Sequence, residues 1–142
     1  MIKPLPVVVQ YLLLQTELTT VLRTLPRVFG DNVIPSKYKP GEDVVGVSIA
    51  DGPILLVSLR GGSIGFDSVT GNAQLQFECI AEKLSEAWAL YYALVEVFHD
   101  AKDGDIIIAE INQFGQKTTY PETGWPVIIT FGSAMIREGV TS

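Results

Sequence analysis

Apolar positions set the first element. Val7, Tyr11, Leu14, Leu18, Val21, Leu22 and Leu25 recur at spacings of three and four, which predicts one amphipathic helix from Pro4 to Leu25. Pro4 and Pro6 fit its first turn, where a missing N–H costs nothing, and Pro26 ends it. Val9 and Leu12 fall on the opposite side, beside Thr16, Thr20 and Arg23, and need a cover of their own. Arg27–Phe29 starts a short strand. The stretch 30–43 follows, punctuated by Gly30, Asp31, Asn32, Pro35, Pro40 and Gly41, and is predicted as a loop or extended arm whose tip is Ser36–Asp43.

Val44–Ile49 resumes as a strand. Pro53–Leu59 is a nearly continuous apolar run, the pattern of a buried strand, with Arg60, Gly61 and Gly62 turning the chain into a flexible stretch, 61–71. Ala73, Leu75, Phe77, Cys79 and Ala81 alternate with Gln74, Gln76 and Glu78, so one row faces a core and the other faces solvent or a neighbour. Ser85–Ala101 is a helix with Leu84, Ala87, Trp88, Tyr91, Leu94, Val95 and Phe98 on one side and Gly104 placed to end it. Its apolar arc, from Val97 through Tyr91 to Tyr92, spans about 220°, more than one sheet covers. The remaining side carries Glu86, Ala89, Ala93, Glu96 and Asp100, and alanines bounded by acids admit a second subunit. Ala89, Tyr92, Ala93 and Val97 are therefore the expected subunit interface.

Two strands close the pattern, Asp105–Ile111 and Trp125–Ile136. The connection 112–124 exceeds the about 2–5 residues of a tight hairpin, and such length usually carries contacts. Helix, strands, helix and two strands predict an α+β fold: a mainly antiparallel β-sheet of four to five strands with two helices packed on one face. No repeat or second domain is visible, and 142 residues suit a single domain spanning 1–142.

Composition narrows the chemistry. Hydrophobic residues make up 47% and charged residues 18%, a balance that folds. A net charge of −6 disfavours a nonspecific grip on nucleic-acid phosphates. The run Met1–Leu14 is interrupted by Gln10 and followed by Gln15 and Glu17 without a small-residue cleavage site, so neither export nor membrane spanning is favoured. One cysteine and one histidine exclude disulfide frameworks and thiolate or His-rich metal sites, and no cofactor or metal is expected.

Each reactive candidate has a plainer explanation. His99, in the last helical turn, complements the helix dipole and has no nucleophile or carboxylate assigned beside it. Cys79 lies on the inward row and acts as a small hydrophobe. Gly61, Gly62, Ser63 and Gly65 lack the Gly-Lys-Ser/Thr ending of a phosphate loop. Asp100, Asp103, Gly104 and Asp105 lack the other ligands of an EF-hand. Glu78 and Glu110 lie on strands that could be neighbours, but nothing specifies a cleft between them. Trp88, Tyr91 and Tyr92 could form a stacking platform, yet they sit at helical spacing without basic residues between them, so core packing accounts for them better.

The order of elements is more informative than any reactive group. An amino-terminal helix leads through Val28 and Phe29 to a loop bearing Pro35 and Pro40. An apolar strand, Ile54–Gly62, ends in Gly-Gly, and Gln74–Ala81 runs into the alanine-rich helix at Ser85, Glu86, Ala87 and Leu90. With the closing strands Ile106–Ile111 and Val127–Ile136, this layout resembles the tail terminator, or tail completion, proteins of long-tailed bacteriophages over about Leu5–Arg137. The connection 112–124 departs from the family pattern.

The resemblance implies a non-enzymatic virion protein, made in the host cytoplasm and placed at the head-proximal end of the tail. It implies a homo-oligomeric ring, typically a hexamer, that caps the tail tube, ends its polymerisation and offers a surface for head-to-tail joining. The partners implied are the major tail tube protein and a head-tail connector or stopper, with DNA passing through the lumen without sequence-specific binding. Lys37, Tyr38, Lys39, Phe66, Phe114 and Tyr120, on the three long loops, are the expected docking residues. Another neck component, a stopper or connector adaptor, is the alternative, and a small intracellular enzyme comes third.

Overall fold

The structure, a computed structural model, describes residues 4–22, 28–30, 53–64, 70–102, 104–119 and 124–137. Its centre is the pair β3 (Thr70–Ile80) and β6 (Pro126–Arg137), joined antiparallel without a register break from Thr70↔Arg137 to Ile80↔Val127. On the other side of β3 lies β2 (Ile54–Ile64), also antiparallel. Beyond it β1 (Val28–Gly30) runs parallel to β2. On the other side of β6 lie β4 (Ile106–Ile111) and β5 (Gln116–Thr119), both antiparallel to it. The sheet order is β1-β2-β3-β6-β4, with β5 also on β6. The predicted fold class holds, as an α+β architecture with a mainly antiparallel sheet.

Alternation in β3 works as its sequence requires. Ala73, Leu75, Phe77 and Cys79 are buried in one cluster with Leu55 and Val57 of β2 and with Ile128, Ala134 and Ile136 of β6. Phe77 meets Phe98 edge-on at 5.1 Å between centroids. On the opposite face, Ile54, Ile80 and Val127 form one paired row that is also fully buried, whereas Gln74 is exposed and Gln76 and Glu78 are half-buried.

Where a turn was predicted at Arg60–Gly62, β2 continues to Ile64 through a register shift between Leu59 and Gly62. Gly61 and Gly62 adopt φ of 110° and 129°, and a Cβ on Gly62 would lie 2.0 Å from the Asn72 carbonyl oxygen. The glycines thus bend a strand rather than end it.

The single amino-terminal helix is two helices, α1 (Pro4–Leu13) and α2 (Thr16–Leu22). The Leu14 and Gln15 N–H groups donate to the Tyr11 and Leu12 carbonyls, tightening the last turn, and Gln15 Nε2 also donates to the Tyr11 oxygen. The break changes the helical phase. Val8, Val9 and Leu12 of α1 and Leu18 and Leu22 of α2 enter the core, Val7 and Tyr11 are half-buried, and Leu14 at the break is 73% exposed. Val9 and Leu12, which lacked a role in the unbroken helix, are core residues.

Helix α3 (Leu84–Phe98) packs on β3, β4 and β6, α1 packs on β1 and β2, and α2 packs on α3, so the helices share one face of the sheet. Gly104 does not end α3. His99 is its carboxy-terminal cap, and Asp100 takes the left-handed conformation, φ 64°, that polar side chains tolerate better than branched ones. The Asp100 N–H then donates to the Ala109 carbonyl and the Ala109 N–H to the Ala101 carbonyl, tying the helix exit to β4. The strand predicted at Val44–Ile49 lies outside the described residues.

Candidate interaction surface

The sheet edge nearest α3 is one strand interrupted in its middle. β4 pairs with β6 as far as Ile111↔Gly132, and β5 resumes at Gln116↔Ile129. Residues 112–115 therefore lie opposite Thr130 and Phe131 alone and must bulge outward. Two hydrogen bonds fasten the first half of the bulge. The Asn112 N–H donates to the Phe131 carbonyl at 2.8 Å, and the fully buried Thr130 hydroxyl donates to the Gln113 carbonyl at 2.7 Å. Gly115 passes beneath Tyr91: a Cβ there would lie 2.6 Å from Ile128 Cγ2 and 3.0 Å from Tyr91 Cε1. Phe114, between these anchors, is 92% exposed.

Above the bulge, α3 presents an aromatic cluster. Trp88 and Tyr92 stack at 5.9 Å and 26°, Trp88 meets Tyr91 edge-on at 5.6 Å, and Tyr91 lies 5.4 Å from Tyr92. Tyr91 is buried, Trp88 half-buried, and Tyr92 63% exposed. Core packing thus accounts for part of the trio only, and Tyr92 presents its ring to solvent. Of the other predicted interface residues, Ala89 is exposed and Ala93 half-buried against the core. Val97 is 8% exposed inside the core, so it has no area left for a neighbour. Tyr11 covers its backbone by donating its hydroxyl to the Val97 carbonyl. Lys37, Tyr38, Lys39, Phe66 and Tyr120 lie outside the described residues.

The reactive candidates fall in structural positions. His99 Nδ1 accepts the Ile111 N–H at 3.1 Å, and Nε2 lies 3.9 Å from Asp100 Oδ1, so the imidazole joins the helix exit to the end of β4. Burial pushes the Cys79 thiol far up from its ordinary range, with Glu78 adding to the effect. Glu78 and Glu110 are not neighbours: β6 runs between their strands, and Ser133 donates to Glu110 Oε1 at 3.4 Å. Asp103 is outside the described residues, and among those described no three His, Cys, Asp or Glu side chains gather as metal ligands. No described helix is long and apolar enough to cross a membrane.

A second surface feature lies across the sheet. Where β2 bends, Leu59, Gly62, Asn72, Ala73 and Ile136 line an open, mainly apolar cleft of about 270 Å³ beside Pro4 at the start of α1. No sequence signal pointed to it, because its lining joins Pro4 and Ile136 to the glycine-bearing stretches of β2 and β3 from far along the chain. The strand β5 was likewise hidden inside the connection 112–124, whose polar run Gln116–Thr119 is exposed throughout.

These features define an α+β fold whose described surface offers an aromatic edge and an apolar cleft. No protein-family model matches the chain, and no curated protein matches it. Among solved structures, it is similar to a chain in the virion of a native gene transfer agent (GTA) particle, at 15% identity and a TM-score of 0.54, over 90% of this chain and 90% of that one. The shared property is the fold.

Proposed function

We propose that this chain is a structural virion protein and, more specifically, the tail terminator of a long-tailed phage or phage-like particle. The observation that carries the reading is the likeness in fold, nearly end to end, to a chain of a virion particle. The order of elements that resembles tail terminators supports the finer assignment. In this reading identical subunits, typically six, close into a ring on the last layer of tail tube protein. The opposite face of the ring receives the head connector or stopper.

The physical requirement is closure. A head-to-tail contact between copies continues as a filament unless its rotation returns to the start, so the subunit must carry two different, complementary surfaces. The exposed aromatic edge of Tyr92 and Phe114 is one surface with area to bury. The role is non-enzymatic, and the acidic charge of the chain lets DNA pass without adhering where acids line the bore. Deleting the gene and imaging the resulting particles tests the assignment. Headless tails of uncontrolled length, corrected by supplying the chain, are expected. Tails of normal length joined to heads in its absence would refute it.

A further inference from the structure

On the ring reading above, we propose that both halves of the contact between copies are present on each chain: Tyr92, with Glu96 beside it, seats in the apolar cleft of the next copy, where Arg60 meets the acid. Four observations carry this. Tyr92 is exposed yet held by stacking on Trp88, so its ring is fixed before any partner arrives and loses little freedom on docking. The cleft, at about 270 Å³, has room for a phenol ring, since a cavity of about 150 Å³ already takes up benzene.

The charges also correspond. Helix α3 carries Glu86 and Glu96 and no lysine or arginine, and Glu96 lies one turn from Tyr92. The cleft lining contains no charged residue, and the described charges adjoining it along the chain are Arg60 and Arg137, both exposed. Arg60 sits between Leu59 and Gly61, both of which line the cleft, whereas Arg137 follows a single lining residue, Ile136, so Arg60 is the cation the contact relies on. Finally, Tyr92 belongs to the cluster above Gly115 and Ile128, near the start of β6, whereas the cleft is built on β2, β3 and the far end of β6 at Ile136. A knob and a socket at separate places make a heterologous contact, the kind a ring needs.

A charge exchange on the full chain tests the pairing, read by sedimentation and native mass spectrometry at fixed concentration. Wild type forms the closed oligomer. Glu96→Arg or Arg60→Glu alone weakens association at least about tenfold, and the two together restore it to within about threefold. Tyr92→Ala weakens it about 30-fold, as a central aromatic anchor does, while Tyr92→Phe retains it. As a readout independent of stability, Tyr92→Cys combined with Leu59→Cys yields disulfide-linked chains on oxidation. A wild-type ring that the single substitutions leave intact, or that the double exchange fails to restore, overturns the pairing and leaves the ring standing. A chain that stays monomeric both alone and on tail tubes overturns the pairing and the ring together.

Discussion

Gly115 is where the edge bulge meets the helix, and its replacement by alanine has a consequence that follows from distance alone. The new Cβ would lie 2.6 Å from Ile128 Cγ2 and 3.0 and 3.1 Å from two carbons of the Tyr91 ring, below ordinary van der Waals contact on both sides. Neither neighbour moves freely. Ile128 is fully buried in the core, and Tyr91 is held against Trp88 and Tyr92. Overpacking of this kind costs about 1–3 kcal/mol. In a domain of this size that corresponds to a fall in melting temperature of roughly 3–12 °C. The strain is local, so Trp88 fluorescence and near-ultraviolet circular dichroism should change in the folded protein while the far-ultraviolet spectrum does not. Urea denaturation gives the magnitude. A Gly115→Ala protein within about 0.5 kcal/mol of wild type, the scatter of neutral surface changes, would refute the packing assigned to the bulge.

The remaining predictions concern the core and its connections. Phe77→Ala removes a fully buried ring that meets Phe98 edge-on and should cost about 3–5 kcal/mol by urea titration. Thr130→Val keeps the shape but removes the donor to the Gln113 carbonyl; a loss of about 1 kcal/mol is expected, with faster amide exchange at 112–115. Asp100→Val should cost about 1–2 kcal/mol because φ there is 64°, whereas Asp100→Gly should stay within about 0.5 kcal/mol, both read from thermal melts. Cys79 has its thiol pushed up in the folded state, so the unfolded chain loses that proton first. Stability should therefore fall as pH rises beyond about 8.5, with a slope approaching 1.4 kcal/mol per pH unit, roughly one proton's worth. The Cys79→Ala protein should lack that component.

The sheet was the most legible part of the fold because a strand's period is read from its own residues. The alternation at Ala73–Ala81 assigned β3 its core row without any knowledge of its partners. The amino-terminal helix is less legible for the complementary reason. On an unbroken helix Val8, Val9, Leu12, Leu18 and Leu22 spread over about 180°, whereas Val7, Tyr11, Leu14, Leu18, Val21, Leu22 and Leu25 gather within about 100°, so the narrower set defines the face that the pattern predicts. The break at Leu14–Gln15 depends on local carbonyl bonding that the apolar pattern does not encode. The end of α3 was missed similarly, because Gly104 was the residue expected to adopt positive φ and Asp100 adopts it first. On the surface, Tyr92, Ala89 and Phe114 were legible as large or small residues on a face the core does not need. Val97 was not, because whether Tyr11 reaches it depends on how α1 lies across the sheet. β5 leaves no trace in the apolar pattern because all four of its residues are polar and exposed, and the cleft leaves none because Pro4 and Ile136 reach the β2–β3 pair from far along the chain.

The central claim is that identical copies of this chain form a closed ring at the end of a tail tube. The most direct test is cryo-electron microscopy of purified tail tubes incubated with the full chain. One added layer with cyclic symmetry at a single end of each tube, and no further growth when tube protein is then supplied, is the predicted result. Tubes that stay bare and continue to lengthen in the presence of the chain would contradict it.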